Sequence, residues 1–180
     1  PEVLGKTVST VHALSESQPN ERLARRLHEL GASENLPVEL RLEALAAVGV
    51  RPAKAPKTLE LEPEVLRFSC GCLSVDKSVR VRSLATDVLL AARLAPAELK
   101  FIAGSIISTG PMELRRLLPL LVASRNRDVG IALVAALNRC DAAGSLNPEE
   151  LGTQLAKFGD SVSREAEPLV MKIIQQNKDK

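Results

Sequence analysis

The chain starts a helix in the same way again and again. Pro-x-Glu-Leu stands at Pro37-Val38-Glu39-Leu40, Pro96-Ala97-Glu98-Leu99, Pro111-Met112-Glu113-Leu114 and Pro148-Glu149-Glu150-Leu151. The variant Pro-Glu-Val-Leu occurs at Pro1 to Leu4 and at Pro63 to Leu66. Proline suits the first helical position because the N–H it lacks would have no partner there. A glutamate in the first turn faces the positive end of the helix dipole, and the leucine opens a buried stripe. Asn147 is a good N-cap before Pro148, and Glu150 is spaced to complete a capping box. Six such starts in 180 residues demand many short helices, each with one face to bury.

That face repeats. Val81, Leu84, Ala85, Val88, Leu89 and Ala92 follow the spacing of one side of an α-helix. Moved 48 residues on, the template reads Val129, Ala132, Leu133, Ala136, Leu137 and Cys140, apolar throughout. Moved 81 on, it reads Val162, Glu165, Ala166, Leu169, Val170 and Ile173; moved 41 back, it reads Leu40, Glu43, Ala44, Ala47, Val48 and Arg51. The successive intervals of 41, 48 and 33 residues bracket the period of HEAT and armadillo arrays, unevenly, as in a degenerate repeat.

The pattern predicts helices near 2–14, 20–30, 37–48, 63–73, 76–93, 96–108, 111–124, 127–140, 148–158 and 161–176, with no useful strand alternation. Val50 to Glu62, with Pro52, Lys54, Pro56 and Lys57, is the longest expected loop, its lysines solvated. The expected fold class is all-α: a HEAT-like α-α superhelix, a right-handed solenoid of short antiparallel helix pairs, forming one domain over 1–180. Pro119 inside Leu117-Leu118-Pro119-Leu120-Leu121 should bend its helix. An Asp-containing turn, Arg127-Asp128-Val129, then leads into the next helix.

Such a core must be made of Leu, Val, Ile and Ala, since the chain has no Trp or Tyr and only Phe68, Phe101 and Phe158. A formal charge of +2, with the bases scattered among acids, leaves no electrostatic footprint for nucleic acid. The longest uncharged run, Phe101 to Met112, is too short to span a bilayer. No signal peptide is visible, and a start at Pro1 suggests a piece of a larger protein.

Residues able to carry chemistry are few, and no catalytic, cofactor-binding or metal site is assigned. His12 and His28 stand on different helices without an HExxH or Cys/His companion. Cys70 and Cys72 are one residue short of a CxxC spacing. Together with Cys140 they read either as buried small apolar side chains or, for Cys140 and one of the other two, as a disulfide. Glu149-Glu150 are explained by helix-end electrostatics. Gly104 and Gly110 suit close packing and a helix end, and Met112 and Met171 suit the core. Arg115, Arg116, Arg125 and Arg127 form the densest basic spot, either a solvated helix face or a contact for an acidic partner.

Several stretches carry a family resemblance. Pro37-Val38-Glu39-Leu40-Arg41-Leu42-Glu43-Ala44-Leu45, Leu114-Arg115-Arg116-Leu117-Leu118, Gly130 to Leu137 and Ala156-Lys157-Phe158-Gly159 resemble the HEAT-repeat region of certain large exported bacterial proteins. There a dehydrogenase-like β-propeller precedes helical repeats and a c-type haem domain with CxxCH. The unit opening at Val81-Arg82 is similar to the usual second helix of a HEAT unit, whereas Gly130 stands where an Arg is common. The haem-binding residues have no counterpart here. The resemblance implies a non-enzymatic spacer or docking module, periplasmic or exported, with no cofactor of its own and haem c on a domain downstream. Its partners would be proteins: neighbouring domains or a docked chain. The rival is a helical repeat that binds a small molecule such as haem or a bilin, or has lyase-like activity. That role would require a polar, aromatic-lined pocket.

Overall fold

Among the described residues, each repeated start leads into a helix. A computed structural model of the chain describes residues 21–49 and 59–178. Its helices are α1 (Glu21–Ala32), α2 (Val38–Gly49), α3 (Pro63–Gly71), α4 (Val79–Ala91), α5 (Pro96–Ser105), α6 (Pro111–Ala123), α7 (Arg127–Leu137), α8 (Pro148–Leu155) and α9 (Asp160–Lys178). Short 3₁₀ turns follow α5 at Ile106–Ser108, α7 at Asp141–Ser145 and α8 at Ala156–Phe158. The fold is all-α, and among the described residues the only extended pairings are two isolated bridges. The expected helix over 2–14, with His12 and Arg51, lies outside the described residues.

The local chemistry works largely as read. Pro63, Pro96, Pro111 and Pro148 each open the first turn of a helix. Pro37 differs: its carbonyl accepts from the Arg41 N–H, which makes it the residue before the first helical one. Asn147 caps α8 by accepting from the N–H groups of Glu149 and Glu150. The capping box expected there is not completed, because the Glu150 carboxylate accepts from Gln154 Nε2 at 3.0 Å instead. The return contact appears at α5, where Glu98 accepts from the Ala95 N–H at 2.6 Å.

The chain forms two compact units, residues 1–72 with 77–93 and residues 73–76 with 94–180. In the first, α2 packs against both α1 and α4, and α3 packs on α4. Being covered on two sides, α2 buries Leu42, Leu45 and Ala46 as well as the template positions Ala44 and Ala47. Glu43, a departure from the apolar template, pairs with Arg80 of α4. Arg41 reaches from α2 to the Gly31 carbonyl at 3.1 Å and lies 3.8 Å over the Phe68 ring, joining the ends of α1 and α3. The expected loop is extended at its end: Leu59 bridges to Ala92, and Leu59 and Leu61 are buried between exposed Glu60 and Glu62.

In the second unit α9 packs against α7 and α8. α5 lies against α7 more closely than against its chain neighbour α6, so strict pairing of consecutive helices fails there. The template is buried as expected at Val129, Leu133, Ala136, Leu137 and Cys140, and at Val162, Ala166, Leu169 and Ile173. Phe158 explains Gly130: a Cβ there would sit 2.7 Å from the ring's Cγ, so an aromatic ring occupies the space a side chain would need. Two expectations about packing fail. A Cβ on Gly104 would meet nothing within 4 Å, and Met112 and Met171 are 66% and 64% exposed rather than in the core. Gly110 does end up at a helix end, as the residue before α6.

Candidate functional site

The second unit carries a cleft of about 550 Å³. One wall is the outer face of α6 at Arg115, Leu118 and Pro119. The opposite wall is the turn into α8 and its first two turns, from Ser145 to Gln154, and Asn177 at the end of α9 completes it. The positions follow from the sequence. Asn147 and Pro148 start α8 at the cleft's edge, and Gln154 is the helical-face neighbour of Glu150 at i+4 and of Leu151 at i+3. Leu118, Leu146 and Leu151 are buried and form the floor. Pro119 has no N–H, so the Arg115 carbonyl lacks the donor an α-helix would supply four residues on.

Most of the polar groups here hold one another. Arg115 Nη2 donates to the Ser145 carbonyl at 2.6 Å, drawing the two walls together. Gln154 Nε2 donates to Glu150, and Asn147 Oδ1 accepts the two N–H groups at the start of α8. Gln154 Oε1 is shut off from solvent and has no hydrogen-bond partner among the described residues. No aromatic residue lines the cleft.

The chain matches no protein-family model, no curated protein and no solved structure.

The residues singled out in the sequence do not converge on one centre. Of the basic spot, Arg115 joins the cleft, while Arg127 donates from Nε to Ser161 Oγ at 3.1 Å, tying α7 to α9. Arg125 takes φ 49° in the turn between α6 and α7, where Asn126 then caps α7. His28 is half-buried on α1. All three cysteines are buried and none is in a disulfide. Burial pushes the Cys72 thiol up, against the pull of Lys77 and Arg41 and with a push from Glu39. Burial also raises Cys140, against the N–H groups of Ala142 and Ala143. Its Sγ lies 3.8 Å from the Thr109 carbonyl. A buried, protonated thiol is a poor nucleophile. Among the described residues no group of three or more His, Cys, Asp or Glu is placed to hold a metal ion, and no helix is long and apolar enough to cross a membrane. The cleft itself was missed in the sequence, because its lining residues come from α6, α8 and the end of α9, far apart along the chain.

Proposed function

We propose that this chain is a non-catalytic helical repeat module of HEAT-like superhelical type, acting as a spacer or docking scaffold for protein partners. One observation carries the reading: helices that share the apolar template lie side by side within each unit. α2 packs on α4, and α7 on α9. Polar links tie them, through Glu43 and Arg80 in one unit and Arg127 and Ser161 in the other. Stacking of equivalent helices is what gives repeat arrays their long accessible faces. Surface is also available for contact, since Phe101 and Met112 stand exposed on α5 and α6. The resemblance to the repeat region of exported haem proteins extends the proposal to a periplasmic or exported parent, with the haem elsewhere.

The test uses a photo-crosslinking amino acid at Phe101 or Met112 in cells of the source. A discrete, position-dependent protein adduct supports docking. Titration with haemin separates the rival small-molecule reading. A saturable, stoichiometric Soret shift that disappears in His12→Ala or His28→Ala, with no protein adduct, would replace the scaffold with a cofactor site.

A further inference from the structure

Gly104 has no reason inside the fold. It is the next-to-last residue of α5, and the 3₁₀ turn Ile106–Ser108 carries the helical run on past it. A glycine within such a run costs about 1 kcal/mol against alanine. At Gly31, Gly49 and Gly130 that cost has a visible cause, since a Cβ there would lie 2.4, 2.3 and 2.7 Å from a neighbouring side chain. At Gly104 it would meet nothing within 4 Å, and the backbone has no positive φ to require glycine. The notch opens to solvent, and a glycine notch is where another chain can come close.

Around the notch lies a nearly charge-free face. α5 buries Leu99, Ile102 and Ala103 and turns Ala97, Lys100, Phe101 and Gly104 outward, at i, i+3, i+4 and i+7. Phe101 is 44% exposed, a ring one turn before the notch. Polar neighbours are engaged locally: Ser105 Oγ donates to the Phe101 carbonyl at 2.9 Å, and Glu98 accepts from the Ala95 N–H at 2.6 Å. From Phe101 to Met112 the chain carries no charge, so of the four outward residues only Lys100 is charged.

A second copy of the chain fits all of these features. A two-fold contact must be self-complementary, and a ring one turn from a notch on the same face meets that condition. Two α5 helices laid antiparallel, with the axis midway between Phe101 and Gly104, put each ring over the other copy's notch. In the same register Lys100 comes opposite Ser105 of the other copy, at the C-terminal end of its α5, where the helix dipole is negative. Nothing charged lies at the axis to meet its own counterpart. We infer that α5 is a self-association face, two copies pairing through Phe101 and Gly104 with Lys100 at the other copy's helix end. This rests on the docking role proposed above and names a second copy as the partner. One short helix per copy buries less than the ~800 Å² a side of a stable interface, so the pair is weak, with a Kd of about 0.1 mM.

The test is sedimentation velocity on the intact chain from about 10 μM to about 1 mM, where a reversible monomer–dimer equilibrium is expected. Gly104→Leu places its side chain in space that is open in the monomer, and should weaken pairing at least about tenfold, as should Phe101→Ser. Lys100→Glu should weaken it about threefold or more, while Lys157→Ala, an exposed change on another element, should leave it unchanged. Far-UV circular dichroism checks that each variant is folded. Mixing Phe101→Cys with Gly104→Cys under mild oxidation should give an intermolecular disulfide faster than either variant alone. A chain still monomeric at about 1 mM overturns the inference. So does a dimer indifferent to both Gly104→Leu and Phe101→Ser, or a disulfide that forms no faster in the mixture. A crosslinked adduct of Phe101 with a different protein, beside a monomeric chain, would refute the pairing and keep the docking role.

Discussion

Two glycines, one packed and one open, provide a paired test of how α7 is fitted to its neighbours. Replacing either by Ala inside a helix gains about 1 kcal/mol of intrinsic propensity. At Gly130 the new methyl would lie 2.7, 2.9 and 3.0 Å from Cγ, Cβ and Cδ1 of Phe158. Carbon atoms pack best at about 3.5–4.0 Å, so the shortfall is close to 1 Å against several atoms. Those atoms are near the ring's root, where little rotation can relieve them. Overpacking of this kind costs about 1–3 kcal/mol, so Gly130→Ala should end between neutral and about 2 kcal/mol destabilising. Gly104→Ala meets nothing within 4 Å and should stabilise by up to about 1 kcal/mol. The propensity gain largely cancels in the difference between the two variants, which isolates the clash at about 1–3 kcal/mol. Urea melts followed by far-UV circular dichroism give both values. Phe158→Leu in the Gly130→Ala background should recover part of the loss as a coupling energy. Equal stabilisation by both substitutions would mean that Phe158 does not lie over α7.

Other outcomes follow from burial and charge. Leu137→Ala should cost about 2–5 kcal/mol, whereas Arg125→Ala should stay within about 0.5 kcal/mol; the reverse order in denaturant melts would show the buried face to be wrongly assigned. Glu43 is 14% exposed and Arg80 71%, so their pair is mostly solvated on one side. Glu43→Gln should lose no more than about 1 kcal/mol, and a loss several times larger in a chemical melt would reveal a pair far better shielded than this. Burial lifts Cys72 and Cys140 above an ordinary 9.0. A group whose folded pKa is raised contributes stability that is present below its unfolded value and lost as pH rises past it. Unfolding free energy should therefore be flat up to about pH 8 and decline above 9.0, less steeply in Cys72→Ala; a double variant declining just as steeply would exclude the thiols as the cause.

Helix positions were legible in the sequence because their causes are local. A proline in the first turn, a glutamate facing the dipole and an apolar stripe act within a few residues, whatever the rest of the chain does. What lay hidden depends on partners distant in sequence. Gly104 and Met112 read as packed because a helix must pack somewhere, yet which face is covered depends on the neighbour, and α5 chooses α7 over α6. Gly130 read as a missing arginine; the cause was Phe158, in a 3₁₀ turn beyond α8. Glu43 broke the template because its partner, Arg80, stands on another helix. Leu59-Glu60-Leu61-Glu62 alternates over too short a span to announce an extended segment. The cleft draws on α6, α8 and α9, so no single stretch of sequence contains its pattern.

The bridge between Leu59 and Ala92, with the Arg93 N–H donating to the Leu59 carbonyl at 2.8 Å, has a mechanical meaning. The segment leading into α3 is stitched to the segment leaving α4, so the helix pair has its two ends clasped. Tension applied at those ends loads the clasp first, and the helices carry none of it until the clasp lets go. With one isolated bridge and two buried leucines behind it, the clasp is a weak link. A module placed under load would yield there first, and releasing the pair would uncover α2, which packs on α4.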